Sequence, residues 1–357
     1  MLIEALTAEL RLKRELTAEE VGKAVTELLD ESVSAEVKAD FLIALAVRGE
    51  TAAELAAFVR SLRTHSYSLP NPERFAGREL LDVCGTGGDR LGTFNISTTV
   101  ALVCSAAGVL VAKHGNRAIT SKSGSADVLE HLGVSIDLSP EAARDSLEEH
   151  GFAFLFAPRF HPAFRALAAA RKLCAERGQR TLFNFIGPLM NPARPTAQLV
   201  GVSRLEWVEP MARVLQELGL RRVMVAAGEV EGEGFLDELS TIGHNNVAEF
   251  YQERGFHTSR WSPHDFPLQA SSLAQLVGGG VAANAAIIRG LLDGTDRGPR
   301  RDAVLLNSAA ALFVAGAARS LVEGWDLAVE TLDSGKAAGK LRSLAGSASK
   351  IERGSRP

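Results

Sequence analysis

Between Thr17 and Leu62 apolar residues recur at helical spacing. Val21, Val25, Leu28 and Leu29 form one stripe, and Val37, Phe41, Leu42 and Leu45 form another. Each stretch has a start signal. Thr17 precedes Glu20, and Thr51 precedes Glu54, by the three residues of a capping box, and Ser34 opens the middle segment, which Gly49 ends. The pattern predicts helices over 17–29, 34–47 and 51–62, a small helical domain in residues 1–72. Pro70-Asn71-Pro72 then marks a linker.

From Leu80 the period changes. Short apolar runs at 80–84, 109–112, 198–202 and 223–227 read as strands, with helices at 98–107 and 205–218. Residues 247–251 and 256–261 read as a hairpin. Helices return at 282–292, 301–318 and 325–332, and a small polar tail from about Gly346 reads as frayed. Strands alternating with helices imply a larger α/β domain over 73–345 with a mainly parallel central sheet.

Composition narrows the classes. The chain has 357 residues, 46% of them hydrophobic, and a net charge of −4. That is ample for two domains and argues against nucleic-acid binding through bulk positive charge. The first 20 residues mix acids and bases without an apolar stretch, unlike a signal peptide, and no apolar run is long enough to span a membrane. Three scattered cysteines suggest neither a disulfide framework nor a zinc site. A cytoplasmic protein is the expectation.

The chemistry concentrates in two glycine-rich loops. Gly85, Gly87, Gly88 and Gly92 follow the first strand, and Asn95 and Ser97 stand ready to cap the next helix. Free N–H groups at a helix start favour an anion, here a phosphate or pyrophosphate. The loop is neither of the common nucleotide fingerprints. Arg90 stands where G-x-G-x-x-G needs its third glycine, and no Gly-Lys-Ser/Thr closes it. The second loop, Lys113 to Asp127, adds Lys113, Arg117 and Lys122 with several hydroxyls. Placed after the second strand, it lies at the sheet edge where open α/β folds bind ligands.

Together these residues resemble anthranilate phosphoribosyltransferase. The resemblance rests on Gly85-Thr86-Gly87-Gly88-Asp89, Asn95-Ile96-Ser97-Thr98, Lys113-His114-Gly115-Asn116-Arg117 and Ser123-Gly124-Ser125-Ala126-Asp127. Arg180-Thr181-Leu182-Phe183-Asn184, Gly187-Pro188-Leu189-Met190-Asn191-Pro192 and Leu236-Asp237-Glu238-Leu239 extend it over nearly the whole chain. It implies a nucleoside phosphorylase/phosphoribosyltransferase-like fold with the helical domain joined by a helical excursion near 161–180, and usually a homodimer. It implies transfer of phosphoribosyl from 5-phosphoribosyl 1-pyrophosphate to the amine of anthranilate, releasing pyrophosphate, in tryptophan biosynthesis.

The resemblance also assigns residues. Gly85, Gly88, Asp89, Thr93, Asn95, Ile96, Ser97 and Thr98 would hold phosphoribosyl pyrophosphate from one side. Lys113, His114, Gly115, Asn116, Arg117, Ala118, Ile119, Thr120, Ser121 and Ser125 would close the other. Asp237, Glu238 and the Ser97 hydroxyl would bind Mg2+, whose role is to neutralise the leaving group. Gly85, Asn116 and Arg171 would contact anthranilate, the arginine as a bidentate fork for its carboxylate. No general base is needed for an already neutral amine. Two departures stand out. The segment Leu173–Gln179 is about three residues longer than the family's, which leaves Arg171 and Arg177 as rivals for the carboxylate and puts Cys174 in the slot counted back from Arg180. Phe235 replaces a more usual glycine. A pyrimidine nucleoside phosphorylase and a nucleic-acid-binding relative are the alternatives. The mild acidity and the retained Gly187-Pro188 turn speak against the second.

Overall fold

Helical spacing at the N-terminus produces four helices, one more than the stripes predict: α1 (Leu2–Arg11), α2 (Ala18–Leu29), α3 (Ala35–Arg48) and α4 (Ala52–Arg63). The computed structural model describes residues 2–118, 122–252 and 254–354. Both threonine capping boxes form. The unexpected α1 buries Ile3, Leu6 and Leu10, an i, i+3, i+7 stripe hidden among its charges, and Glu27 of α2 accepts the N–H groups of Leu2 and Ile3. Leu167, Ala170 and Cys174, from the segment after His161, share the apolar core of these helices.

The remainder is one sheet of eight strands: β1 (Leu80–Gly85), β2 (Leu110–Gly115), β3 (Phe152–Phe156), β4 (Ala197–Gly201), β5 (Arg222–Val230), β6 (Gly234–Leu236), β7 (Asn245–Tyr251) and β8 (Gly255–Trp261). The order is β3-β2-β1-β4-β5-β7-β8, with β6 paired to β5. The first five in that order run parallel; β7 and β8 are an antiparallel hairpin continuing from β5. Alternation along β5 splits the core. Val223, Val225 and Ala227 face the cluster of α1–α4, whereas Met224 and Ala226 face the cluster of the helices Ile96–Ala106 (α5) and Pro299–Val314. The connection order reverses between β1 and β4, so the loops leaving these strands diverge and open a crevice at their carboxyl ends.

Two local expectations change. β2 extends to Gly115, so Lys113 and His114 are buried strand residues rather than loop residues. The last helix, Lys336–Gly354, runs through the position where fraying was expected: Ser347 bonds the ring of His150 (2.7 Å) and its own i−4 carbonyl (2.9 Å), which holds the turn at Gly346. Among the described residues no helix is long and apolar enough to cross a membrane.

Candidate active site

Three glycines at the ends of adjacent strands set the site. Gly85 of β1 pairs with Gly201 of β4, and Gly228 lies on β5. A Cβ on Gly85 or Gly201 would overlap Asp237, and one on Gly228 would overlap the Glu238 carbonyl. Their bare surface lets the backbone of Leu236–Ser240 lie directly across the strand ends. Neither Gly85 nor Gly201 has positive φ, so the requirement is for a missing side chain. The crossing segment is clamped. Asn307 accepts from the Leu239 N–H (2.9 Å) and donates to its carbonyl (3.0 Å), and the Ser240 N–H donates to Asn245 (2.7 Å). Phe235 sits beside it in β6, paired with Glu229.

This clamp aims two carboxyls into the loop after β1. The Gly87 N–H donates to Asp237 Oδ2 (2.7 Å), and the Ser97 N–H, at the start of α5, donates to Glu238 Oε1 (3.1 Å). Asp89 joins them; its Oδ2 is buried without a partner, as is the Thr98 hydroxyl. Burial, then the nearby Asp89 charge, pushes Asp237 above the usual carboxylate range, and burial, then Asp237, pushes Glu238 up further. Among the described residues no three acidic, histidine or cysteine side chains form a ready metal cage, so a hard divalent cation would draw on two carboxyls, a hydroxyl and the oxygens of its ligand. Opposite them Lys113 Nζ donates to the Val83 carbonyl (2.6 Å) and Ser97 Oγ (3.2 Å). Beneath it the fully buried Asp82 accepts from the His114 N–H (3.3 Å).

The second loop folds back on itself. The Asn116 carbonyl accepts from Ser125 Oγ (3.3 Å) and the Ala126 N–H (3.2 Å), and a Cβ on Gly115 would strike Ser125. The Ala118 N–H donates to Asp127 (2.9 Å). Arg117 departs from expectation: its guanidinium pairs with Asp127 (3.0 Å) and Glu130 (2.8 Å), and its backbone N–H donates to Asn116 Oδ1 (2.8 Å). Asn95 departs too. It makes no side-chain cap; its amide donates to the Ser123 carbonyl (3.3 Å) and accepts from Asn284 (2.9 Å), tying the two loops together. Thr93 bridges to Val277, and Ile96 is buried. Ile119, Thr120 and Ser121 lie outside the described residues.

A row of rings leads from β2 to an arginine. His114 meets His161 (5.2 Å between centroids, Nε2···Nε2 3.2 Å), His161 stacks on Phe164 (5.1 Å), Phe164 meets Phe183 (6.0 Å), and the Arg171 guanidinium lies 5.6 Å from the Phe183 centroid. Ser66 holds the other nitrogen of His161 (2.6 Å). Burial pushes His114 down to about 3 and His161 to about 4, so both are neutral near pH 7. Arg171 meets no carboxylate among the described residues, and its guanidinium is partly desolvated. Its rival Arg177 is bound to Asp40 of α3 at 2.6 Å, and Cys174 is buried in the helical core with its thiol directed to the Ala39 carbonyl. Of the two arginines, only Arg177 has a carboxylate partner among the described residues. The residues missed from sequence are Gly201, Gly228, Asn284 and Asn307. The glycines had a signal, each ending an apolar strand run; the asparagines had none.

Residues 4–66 match a family described as glycosyl transferase family, helical bundle domain, and residues 77–338 match glycosyl transferase family, a/b domain. The anthranilate phosphoribosyltransferase of Petrotoga mobilis is 44% identical over 92% of this chain and 92% of its own. Anthranilate phosphoribosyltransferase 2 of Streptomyces coelicolor is 46% identical over 92% and 95%. Among solved structures, the anthranilate phosphoribosyltransferase of Thermus thermophilus superposes with a TM-score of 0.84 at 42% identity, covering 95% of this chain and 98% of that one. The Saccharomyces cerevisiae anthranilate phosphoribosyltransferase in complex with PRPP and Mg gives 0.83 at 27% identity, covering 97% and 99%.

Proposed function

The chain belongs to the anthranilate phosphoribosyltransferase family, and on that premise we propose that it transfers the phosphoribosyl group of 5-phosphoribosyl 1-pyrophosphate to the amine of anthranilate, releasing pyrophosphate. The observation that carries this is the acidic segment laid over Gly85, Gly201 and Gly228, with Asp237 and Glu238 held by N–H groups of the glycine loop and of α5. Asp237, Glu238 and the Ser97 hydroxyl would hold Mg2+, and the chemistry it supplies when bound is neutralisation of the departing pyrophosphate.

The protein's own groups do the rest. Gly88, Asp89, Thr93, Asn95, Ile96, Ser97 and Thr98 line one side of the phosphoribosyl group. Lys113, His114, Gly115, Asn116, Arg117, Ala118 and Ser125 line the other. The Lys113 ammonium, fixed by Val83 and Ser97, opposes negative charge growing on the leaving group. Arg171 takes the anthranilate carboxylate as a fork, and Asn116 and the Gly85 backbone complete its seat. The amine attacks C1 of ribose as the bond to pyrophosphate breaks, then loses its proton to solvent. His114 and His161 are neutral but occupied by each other and by Ser66, so they shape the pocket rather than move protons. Rate comes from positioning and preorganised charge.

Anthranilate fluorescence tests this. Its decay must require the protein, phosphoribosyl pyrophosphate and magnesium together, and stop with EDTA. No decay from folded protein would refute the reading. We also propose a cytoplasmic homodimer. Leu12 (77% exposed), just past α1, and Val47 of α3 (72%) leave apolar surface on the helical domain, and light scattering should read twice the 38.0 kDa chain. A single-chain mass would refute the dimer.

A further inference from the structure

Behind the glycine loop lies a second cavity, of about 190 Å³, which the reaction as described does not use. Glu50 at the end of α3, Thr86, Arg180, Thr181, Ser203 and Arg204 contribute to its walls. The Gly87 peptide divides it from the acidic site. Its N–H faces inward to Asp237, and its carbonyl accepts from Ser203 Oγ (3.1 Å). Arg180 packs onto the loop: its Nη2 lies 3.1 Å from where a Cβ of Gly88 would be, at a residue with φ of +84° that glycine alone adopts easily.

The charge in this cavity is unbalanced. Among the described residues neither Arg90 nor Arg180 has a carboxylate at ion-pair distance, and Arg204 has only the exposed Glu206 at 3.4 Å. Elsewhere the chain pairs its arginines readily, as Arg14 with Glu9 and Glu20, and Arg117 with Asp127 and Glu130. Desolvation, then Arg204 and Arg90, lowers the proton affinity of Arg180, the mark of cations gathered without an anion. The one acid present does not supply it. Glu50 keeps Oε1 buried without a hydrogen-bond partner and makes no ion pair with Arg180 or Arg204, and burial raises the proton affinity of its carboxyl. The Arg180 and Arg204 guanidinium forks are its donors to a ligand, because the Thr86 and Ser203 hydroxyls both donate to the Gly87 carbonyl and the Gln179 amide donates to the Arg180 carbonyl. Two rings, Phe185 and Trp207, also line it, in contact with each other at 4.0 Å between centroids and tilted by 35°.

We propose that this cavity is a second anion subsite, with Arg180 and Arg204 as its cations, that takes inorganic pyrophosphate on the far side of the loop from Asp237 and Glu238. The proposal rests on the transferase reading, in which pyrophosphate is the product, and gives the leaving group a place to go once the bond has broken. Arg180 and Arg204 are thus product-binding residues.

Calorimetric titration of the full chain with inorganic pyrophosphate, without magnesium so that the acidic site stays uncharged by cation, tests it. The wild type is expected to bind, and Arg180→Gln and Arg204→Gln each to weaken binding at least tenfold with unchanged melting temperature. Arg180→Lys, which keeps the charge and loses the fork, falls between. Binding that ignores both glutamine variants, or no magnesium-free binding by the wild type, would overturn the subsite. Orthophosphate binding as tightly as pyrophosphate would overturn its assignment to the leaving group. Anthranilate turnover of the same wild-type sample is read separately: its absence would sink the transferase reading while the titration still decides the subsite.

Discussion

Gly201→Ala is the smallest change that reaches the acidic site. A Cβ at Gly201 would stand 1.6 Å from the Asp237 carbonyl oxygen, and ordinary contact needs at least 3.4 Å. The neighbour is backbone, so it cannot rotate away. It is also clamped on its far side by Asn307 and Asn245, so the strain cannot dissipate toward Ser240. Either the 237–238 peptide moves by well over an ångström or β4 does. Overpacking of this kind costs about 1–3 kcal/mol of stability, which a chain of this size survives. The catalytic loss is larger: a 1 Å misplacement of a positioned group costs about 10²-fold. The expected result is folded protein with kcat/KM down roughly 100-fold or more and a raised magnesium requirement. The assay is anthranilate fluorescence decay across a magnesium titration, with thermal melting alongside. Gly22→Ala is the control, because nothing lies within 4 Å of its Cβ and it sits inside α2. That exchange should add about 0.5–1 kcal/mol of stability and leave turnover alone. Wild-type turnover and magnesium dependence in Gly201→Ala would refute the account of how the carboxyls are placed.

Three further outcomes follow from the same geometry. Arg171→Ala should raise the KM for anthranilate tenfold or more, about the 1.5–3 kcal/mol of a charge-assisted pair, with phosphoribosyl pyrophosphate binding unchanged. Arg177→Ala should cost under about 1 kcal/mol of stability and no substrate affinity, and the reverse ranking in steady-state kinetics would reassign the carboxylate. Asp237→Asn should raise the melting temperature in EDTA, since it removes one of three mutually repelling carboxyls, while abolishing turnover; a lower melting temperature would mean the carboxyls are not in conflict without cation. His114 and His161 take up protons in the unfolded chain below pH 6.5 but, folded, only near 3 and 4. Their contribution to stability therefore falls as pH drops from 6.5 toward 4, by roughly 1.4 kcal/mol per pH unit for each. Urea unfolding of wild type and His161→Phe at pH 7, 6 and 5 reads the difference, and equal slopes would contradict it.

Local signals in the sequence carried much of this. Thr17, Ser34 and Thr51 cap the helices they were expected to start, because a cap is a contact between residues three positions apart. The run from Leu80 through Gly92 showed a strand and a loop for the same reason, and its order of glycines was enough to suggest the phosphate chemistry. What stayed hidden depends on distance along the chain. Asn95 has the right identity to cap α5 and the right position, yet Asn284, 189 residues later, claims its side chain. Gly85 read as a ligand-loop glycine, whereas its bare Cα is also needed because Asp237 lies over it, 152 positions away in number. The choice between Arg171 and Arg177 could not be made by counting, since the longer segment permits either. Asp40 on α3, which engages Arg177 while Arg171 lies over Phe183, favours Arg171 and could not be read from the local sequence.

The glycine loop divides two groups of like charge. On its inner side Asp89, Asp237 and Glu238 converge, and on its outer side Arg180 and Arg204 share a cavity, with the Gly87 peptide between them. Each group is unfavourable by itself, and neither relieves the other, because the peptide keeps them apart. The separation lets the two groups be relieved in turn: a cation binds on the inner side, and pyrophosphate is taken up on the outer side once its bond to ribose has broken. It also explains the rigidity of the clamp. Strand ends stripped of side chains, an asparagine that bonds both sides of Leu239 and a loop whose N–H groups face inward leave the acids no route to separate and lower their repulsion. The strain persists because the scaffold over-determines the positions, and binding is then the way the repulsion is released.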